Sequence, residues 1–140
     1  MSESRRGLLD TSTVILLGRI IDPASLPDEP VISAVTLAEL SVGPLITDDP
    51  DERASRQAHL QLAESDFDPL PFDSAAARAF GRIAADLRRS GRKPAARTYD
   101  ALIAATAIST RLPLYTCNPG DFAGMSELDL RVVPHPDHAD

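Results

Sequence analysis

Short apolar runs alternate with amphipathic stretches along the chain, the pattern expected of strands and helices in turn. Residues 8–10 predict a first buried strand, and Thr11 or Ser12 can cap a helix running to about residue 21. Asp22-Pro23 with Pro27 and Pro30 marks a turn-rich connection. Residues 31–33 predict a second strand feeding a helix through Glu39 to about Val42, where Gly43-Pro44 stops it. A third helix starts within 47–50 and runs to about Ser65. Residues 68–72 predict a short strand whose Pro69 and Pro71 suit an edge. From Asp73 the spacing of Ala76, Phe80, Ile83 and Leu87 predicts a helix that Gly91 closes. A last helix opens at 98–100 and runs to about Thr110, its alanines allowing close approach to a sheet. Residues 114–116 and 130–133 predict the final strands. Alternating strands and helices imply an α/β protein: an α/β/α sandwich around a central, mainly parallel sheet of four to five strands.

The 140 residues suit one domain, with residues 1–6 and 135–140 expected as flexible tails. Aromatic residues are only 4% of the chain, so Leu, Ile, Val and Ala must build the interior. Cys117 is the only cysteine and cannot form an internal disulfide. Arg5 and Arg6 precede an apolar run, but Asp10 breaks it, and the run at 14–17 is too short for an export signal or a membrane span. A soluble cytoplasmic protein is the expectation.

The net charge of −7 argues against a protein that coats nucleic acid non-specifically. The charge is uneven, however. Arg78, Arg82, Arg88, Arg89, Arg92, Lys93 and Arg97 face only Asp86 between positions 78 and 97. Such a segment can guide a phosphate backbone toward an acidic centre, or can be an ordinary solvated helix face.

Four acids lie in or beside apolar runs: Asp10 after Leu8-Leu9, Glu39 after Ala34-Val35-Thr36-Leu37-Ala38, Asp100 before Ala101-Leu102-Ile103, and Asp121 beyond Leu114-Tyr115-Thr116. Carboxylates at the edge of a core cost free energy unless compensated, and four at one place would favour a bound divalent cation. In a parallel sheet such a site forms beyond the carboxyl ends of strands, where Asp10 and Asp121 fall. Oxygen-only ligands select Mg²⁺ or Mn²⁺. Zinc is poorly served, because His59 stands alone, His135 and His138 lie in the tail, and Cys117 has no partner. Carboxylate-held hard cations suit phosphodiester hydrolysis. Taken singly, Asp10, Asp100 and Asp121 also read as helix caps or helix-start charges. No Gly-x-Ser-x-Gly elbow, Lys-Ser/Thr phosphate loop or Cys-x-x-Cys is present.

The stretches Leu8-Leu9-Asp10-Thr11-Ser12, Ile32 to Leu40, Asp100 to Ala107 and Thr116-Cys117-Asn118-Pro119-Gly120-Asp121-Phe122 together resemble the PIN-domain family, specifically the VapC-type toxins of bacterial toxin–antitoxin pairs. They come in the family's order and span nearly the whole chain. The resemblance implies a Mg²⁺- or Mn²⁺-dependent endoribonuclease acting on structured RNA such as tRNA or ribosomal RNA. It implies a homodimer held in check by a VapB-like antitoxin, with no membrane partner. By the same resemblance Asp10, Glu39, Asp100 and Asp121 bind the metal, and Thr116 and Asn118 are polar supports. Arg78, Arg82, Arg89, Arg92, Lys93 and Arg97 are candidate contacts to the RNA backbone. Some relatives carry an acid at the place of Asn118, which leaves Asp121 as the only acid of the last stretch. Two other readings stay open: a degenerate, non-cleaving module that binds RNA or protein, and a phosphatase on a related scaffold.

Overall fold

The computed structural model describes residues 5–137. Its elements run β1 (Arg6–Leu9), α1 (Thr11–Ile15), β2 (Glu29–Val31), α2 (Ala34–Val42), α3 (Pro50–Asp66), α4 (Ser74–Arg89), α5 (Thr98–Thr110), β3 (Leu114–Thr116) and β4 (Leu130–Val132), joined by short 3₁₀ turns. The four strands form one sheet in the order β2-β1-β3-β4, and every pairing is parallel. The α/β sandwich expected from the alternating pattern is therefore present, with the sheet at the lower end of the expected strand number.

Strand alternation divides the core between the two faces of the sheet. Leu8 and Leu114 point to the side covered by α4 and α5, where Ala79, Ile83, Leu87, Ala101, Ile103, Ala104 and Ala105 are buried. Leu9 and Tyr115 point to the opposite side, against Val133, Val14, Leu16 and Leu17. Helix α5 is apolar on nearly all sides, as a helix packed between sheet and helix must be. Gly7 lets Tyr115 lie flat on β1, because a Cβ there would fall 2.4 Å from Tyr115 Cε1 and 2.9 Å from Pro27 Cβ.

Helix ends follow local chemistry. Asp49 and Asp73 cap α3 and α4 by accepting from the amides of Asp51 and Ala76 at 3.0 Å each. Gly91, at φ +81°, closes α4: the amides of Gly91 and Arg92 donate to the Arg88 and Leu87 carbonyls. Arg111 makes the same turn after α5 at φ 60°.

Several elements differ from the sequence pattern. The helix after β1 stops at Ile15 and continues only as a 3₁₀ turn at Leu17–Arg19, since Gly18 lowers helix propensity there. Its cap is Asp10 rather than Thr11 or Ser12. Strand β2 sits earlier than residues 31–33, pairing Arg6 with Glu29 and Leu8 with Val31. Residues 68–72 form no full strand; Ser33 and Leu70 make one isolated parallel bridge, because Pro69 and Pro71 supply no backbone donors. Ala79, not Phe80, is fully buried on α4, and Phe80 packs at the edge of the core. Of the expected tails, residues 1–4 and 138–140, including His138, lie outside the described residues. Arg6 begins β1, and Arg19 pairs with Asp137. Among the described residues no helix is long and apolar enough to cross a membrane.

Candidate active site

The chain leaves β1 toward β2 on one side and reaches β3 on the other, so the carboxyl ends of β1 and β3 flank a topological switch point. Asp10 follows β1 directly, and Thr116 ends β3. Glu39 comes from the sixth position of α2, Asp100 from the first turn of α5, and Asp121 from the 3₁₀ turn Pro119–Phe122.

Asp10 is 3% exposed, and its carboxylate is held on both oxygens. Oδ1 accepts from the Thr13 amide at 3.2 Å and from the Thr13 hydroxyl. Oδ2 accepts from Thr116 Oγ1 at 2.8 Å and Ser12 Oγ at 3.1 Å. Each of these hydroxyls is satisfied in turn. The Cys117 amide donates to Thr13 Oγ1 at 3.0 Å, the Asn118 amide to Thr116 Oγ1 at 2.9 Å, and Asn118 Nδ2 to Ser12 Oγ at 2.9 Å. Burial pushes the Asp10 carboxyl above its ordinary range, and the hydroxyl and amide donors oppose the push.

Glu39 Oε1 accepts from Thr11 Oγ1 at 2.7 Å, and the Thr11 hydroxyl also lies 3.0 Å from Thr36 Oγ1. Burial raises the Glu39 carboxyl; the Thr11 bond opposes this and the Asp10 charge adds to it. Asp100 is pushed upward as well. Burial first, and then the charges of Asp121, Glu39 and Asp10, push it from 3.8 to about 6, against the pull of Arg97. Asp100 thus senses the charges of the other three acids, and Glu39 that of Asp10.

Arg97, immediately before α5, stands among them. Its Nη1 lies 3.0 Å from Asp121 Oδ1 and 3.9 Å from Asp100 Oδ2. Of the other basic candidates, Arg82 pairs with Glu127 at 2.9 Å and Arg89 pairs with Asp86. Arg78, Arg92 and Lys93 form no ion pair among the described residues. The hydroxyls of Thr11, Ser12 and Thr13 were legible only as helix-start residues, although three consecutive hydroxyls after an acid are the donors a buried carboxylate needs. Arg97 was legible as a basic residue but not as a partner of the acids.

The donor set fits a hard, hydrated cation. Among the described residues no three Asp, Glu, His or Cys side chains close into a ready cage. Mg²⁺ does not require one, since it keeps several waters and takes one or two carboxylates together with substrate phosphates. The all-oxygen donors, and the burial and neighbouring charges that together raise Asp100, meet that need.

Residues 8–128 match the family model of the PIN domain. The chain is 43% identical over 121 residues to "Ribonuclease VapC5" of Mycobacterium tuberculosis, covering 85% of this chain and 87% of that one. It is 32% identical over 130 residues to "Ribonuclease VapC" of Rickettsia bellii, covering 91% and 96%. Among solved structures, VapBC-5 of the VapBC family of toxin–antitoxin systems, from M. tuberculosis, superposes at a TM-score of 0.72 with 37% identity, covering 91% of this chain and 97% of that one. FitAcB from Neisseria gonorrhoeae superposes at 0.66 with 29% identity, covering 94% and 98%. The family model spans positions 8–128, and with them Asp10, Glu39, Asp100 and Asp121, and the parallel sheet and the VapC relatives agree with it: the chain belongs to the PIN-domain family, in its VapC branch.

Proposed function

We propose that this protein is the toxin of a VapBC-type pair, an endoribonuclease that depends on Mg²⁺ or Mn²⁺ and hydrolyses phosphodiester bonds in cellular RNA. The observation that carries the reading is the convergence of acids from four separate segments: Asp100, which burial first pushes toward about 6, is pushed further up by the charges of Asp121, Glu39 and Asp10. Structural needs alone do not gather carboxylates in this way, because like charges at one place destabilise the fold. The relatives named ribonuclease support the same chemistry.

Asp10, Glu39, Asp100 and Asp121 would hold the metal, directly or through water. Bound there, the ion would supply an activated water and stabilise the charge that develops on the scissile phosphate. Ser12, Thr13 and Thr116 fix the Asp10 carboxylate in one orientation, so it needs no reorganisation when the site is loaded. Asn118 holds Ser12 and closes that network. Arg92, Lys93 and Arg97 extend from the segment leading into α5, where they can meet the RNA backbone. A VapB-like antitoxin is the proposed partner, since VapBC-5 is described as a toxin–antitoxin system. A homodimer in the cytoplasm acting on tRNA or ribosomal RNA completes the proposal.

The test is cleavage of total host RNA by purified protein with Mn²⁺ or Mg²⁺, with RNA ends mapped by sequencing. Wild type should generate defined new ends, while Asp10→Ala and Asp100→Ala should generate none. Variants that inhibit growth as strongly as wild type when expressed alone would overturn the reading.

A further inference from the structure

We infer that Arg97 is the built-in counter-ion of the acidic cluster, occupying the divalent-cation position between Asp100 and Asp121 until the metal displaces it. The inference rests on the metal-binding reading above and adds a competition that this reading does not contain.

One contact and one charge argument carry it. Arg97 links acids from two different elements, reaching Asp121 Oδ1 at 3.0 Å and Asp100 Oδ2 at 3.9 Å from the same nitrogen. A cation in that place neutralises part of the charge that gathers when four carboxylates converge, which a metal would otherwise do.

The contact is also built to open. The Arg97 and Asp121 side chains are 37% and 42% exposed, and ion pairs that wet contribute little to stability. Arg97 precedes the first residue of α5 with φ −123° and ψ 27°, outside helical geometry, and makes no side-chain cap bond to the helix. Its side chain can therefore swing toward solvent without unwinding α5. Buried Asp10 and half-buried Glu39 behave differently: Ser12, Thr13, Thr116 and Thr11 pin them, so they stay in place while the arginine moves. A guanidinium and a divalent ion repel each other, so occupancy by one weakens the other, and the coupling is reciprocal. The released guanidinium stays at the rim, on the side where a phosphate backbone arrives.

The experiment titrates Mn²⁺ alone into the metal-stripped full chain by calorimetry, with no RNA present, for wild type, Arg97→Gln and Arg97→Lys. Removing the competing charge should tighten Mn²⁺ binding by on the order of 5- to 150-fold in Arg97→Gln. Arg97→Lys keeps the charge and should stay near wild type. Thermal melts should show metal-free Arg97→Gln below wild type and a larger upward shift with Mn²⁺. Equal or weaker Mn²⁺ binding by Arg97→Gln, or tightening in Arg97→Lys to match it, would overturn the inference and leave the metal site intact. Absence of Mn²⁺ binding in all three proteins would overturn the metal-dependent reading itself, and this inference with it. Should Arg97→Gln fail to fold, Arg97→Met at the same position gives the same comparison.

Discussion

Replacing Asp100 with asparagine should make the metal-free protein more stable. In the native state its carboxyl titrates at about 6 rather than 3.8, chiefly through burial and then through the charges of Asp121, Glu39 and Asp10. The native protein therefore binds a proton more tightly than the unfolded chain does. Stability is then highest below pH 3.8, falls as pH rises from 3.8 to 6, and is flat above 6 as far as this group is concerned. A shift of roughly two pH units corresponds to about 3 kcal/mol of native-state penalty at neutral pH. The side chain is 28% exposed, so solvent screening makes that an upper bound. Asparagine keeps the shape and removes the charge. The expected gain is about 1–3 kcal/mol at pH 7.5, about half of that at pH 5, and little at pH 3.5. For a chain of this size the neutral-pH gain raises the melting midpoint by roughly 3–10 °C. The assay is urea unfolding and thermal melting of wild type and Asp100→Asn in excess chelator at those three pH values. If Asp100 merely favoured the first turn of α5, its removal would instead cost about 0.3–1 kcal/mol. A loss of stability at pH 7.5, or a gain independent of pH, refutes the electrostatic account.

Two further substitutions probe the frame around the site. Thr116→Val removes a donor to Asp10 Oδ2 at 2.8 Å and an acceptor for the Asn118 amide at 2.9 Å, at a position with no exposure. It should cost about 1–3 kcal/mol in urea unfolding, with Thr116→Ser close to wild type. Because the lost bond favours the charged form of Asp10, the cost should be larger at pH 7 than in acid, where that carboxyl takes up its proton. Gly7→Ala would place a Cβ 2.4 Å from Tyr115 Cε1 and 2.9 Å from Pro27 Cβ, and Tyr115 is 3% exposed and cannot swing out. Destabilisation of about 1–3 kcal/mol is expected, and an unchanged unfolding midpoint would show that β1 and β3 shift freely past each other.

How much of this was legible in the sequence depends on the range of each interaction. The acids could be found because each sits against a local apolar run, and burial next to a charge is a pattern confined to a few residues. Helix ends were legible where one side chain decides them, as at Asp73 and Gly91. The start of β2 was not, because its register is set by pairing with β1, twenty-three positions away, rather than by its own residues. The short α1 was misjudged for a related reason. Residues 14–17 are apolar, but Val14, Leu16 and Leu17 serve the far side of the sheet through packing that no helical period encodes.

The hydroxyl shell and Arg97 mark the deeper limit. Thr116 meets Asp10 only because β1 and β3 are neighbours in the sheet, and the sequence spacing of 106 between them says nothing of that. Arg97 is one of seven basic residues between 78 and 97, and composition gives each the same role on an RNA-facing surface. The fold separates them: Arg82 and Arg89 are spent on Glu127 and Asp86, and Arg97 alone among the seven turns toward the acids. A basic segment and an acidic centre are therefore joined at one residue. On the reading proposed above, one side chain would neutralise the resting site and meet incoming phosphate in two positions, with metal binding choosing between them.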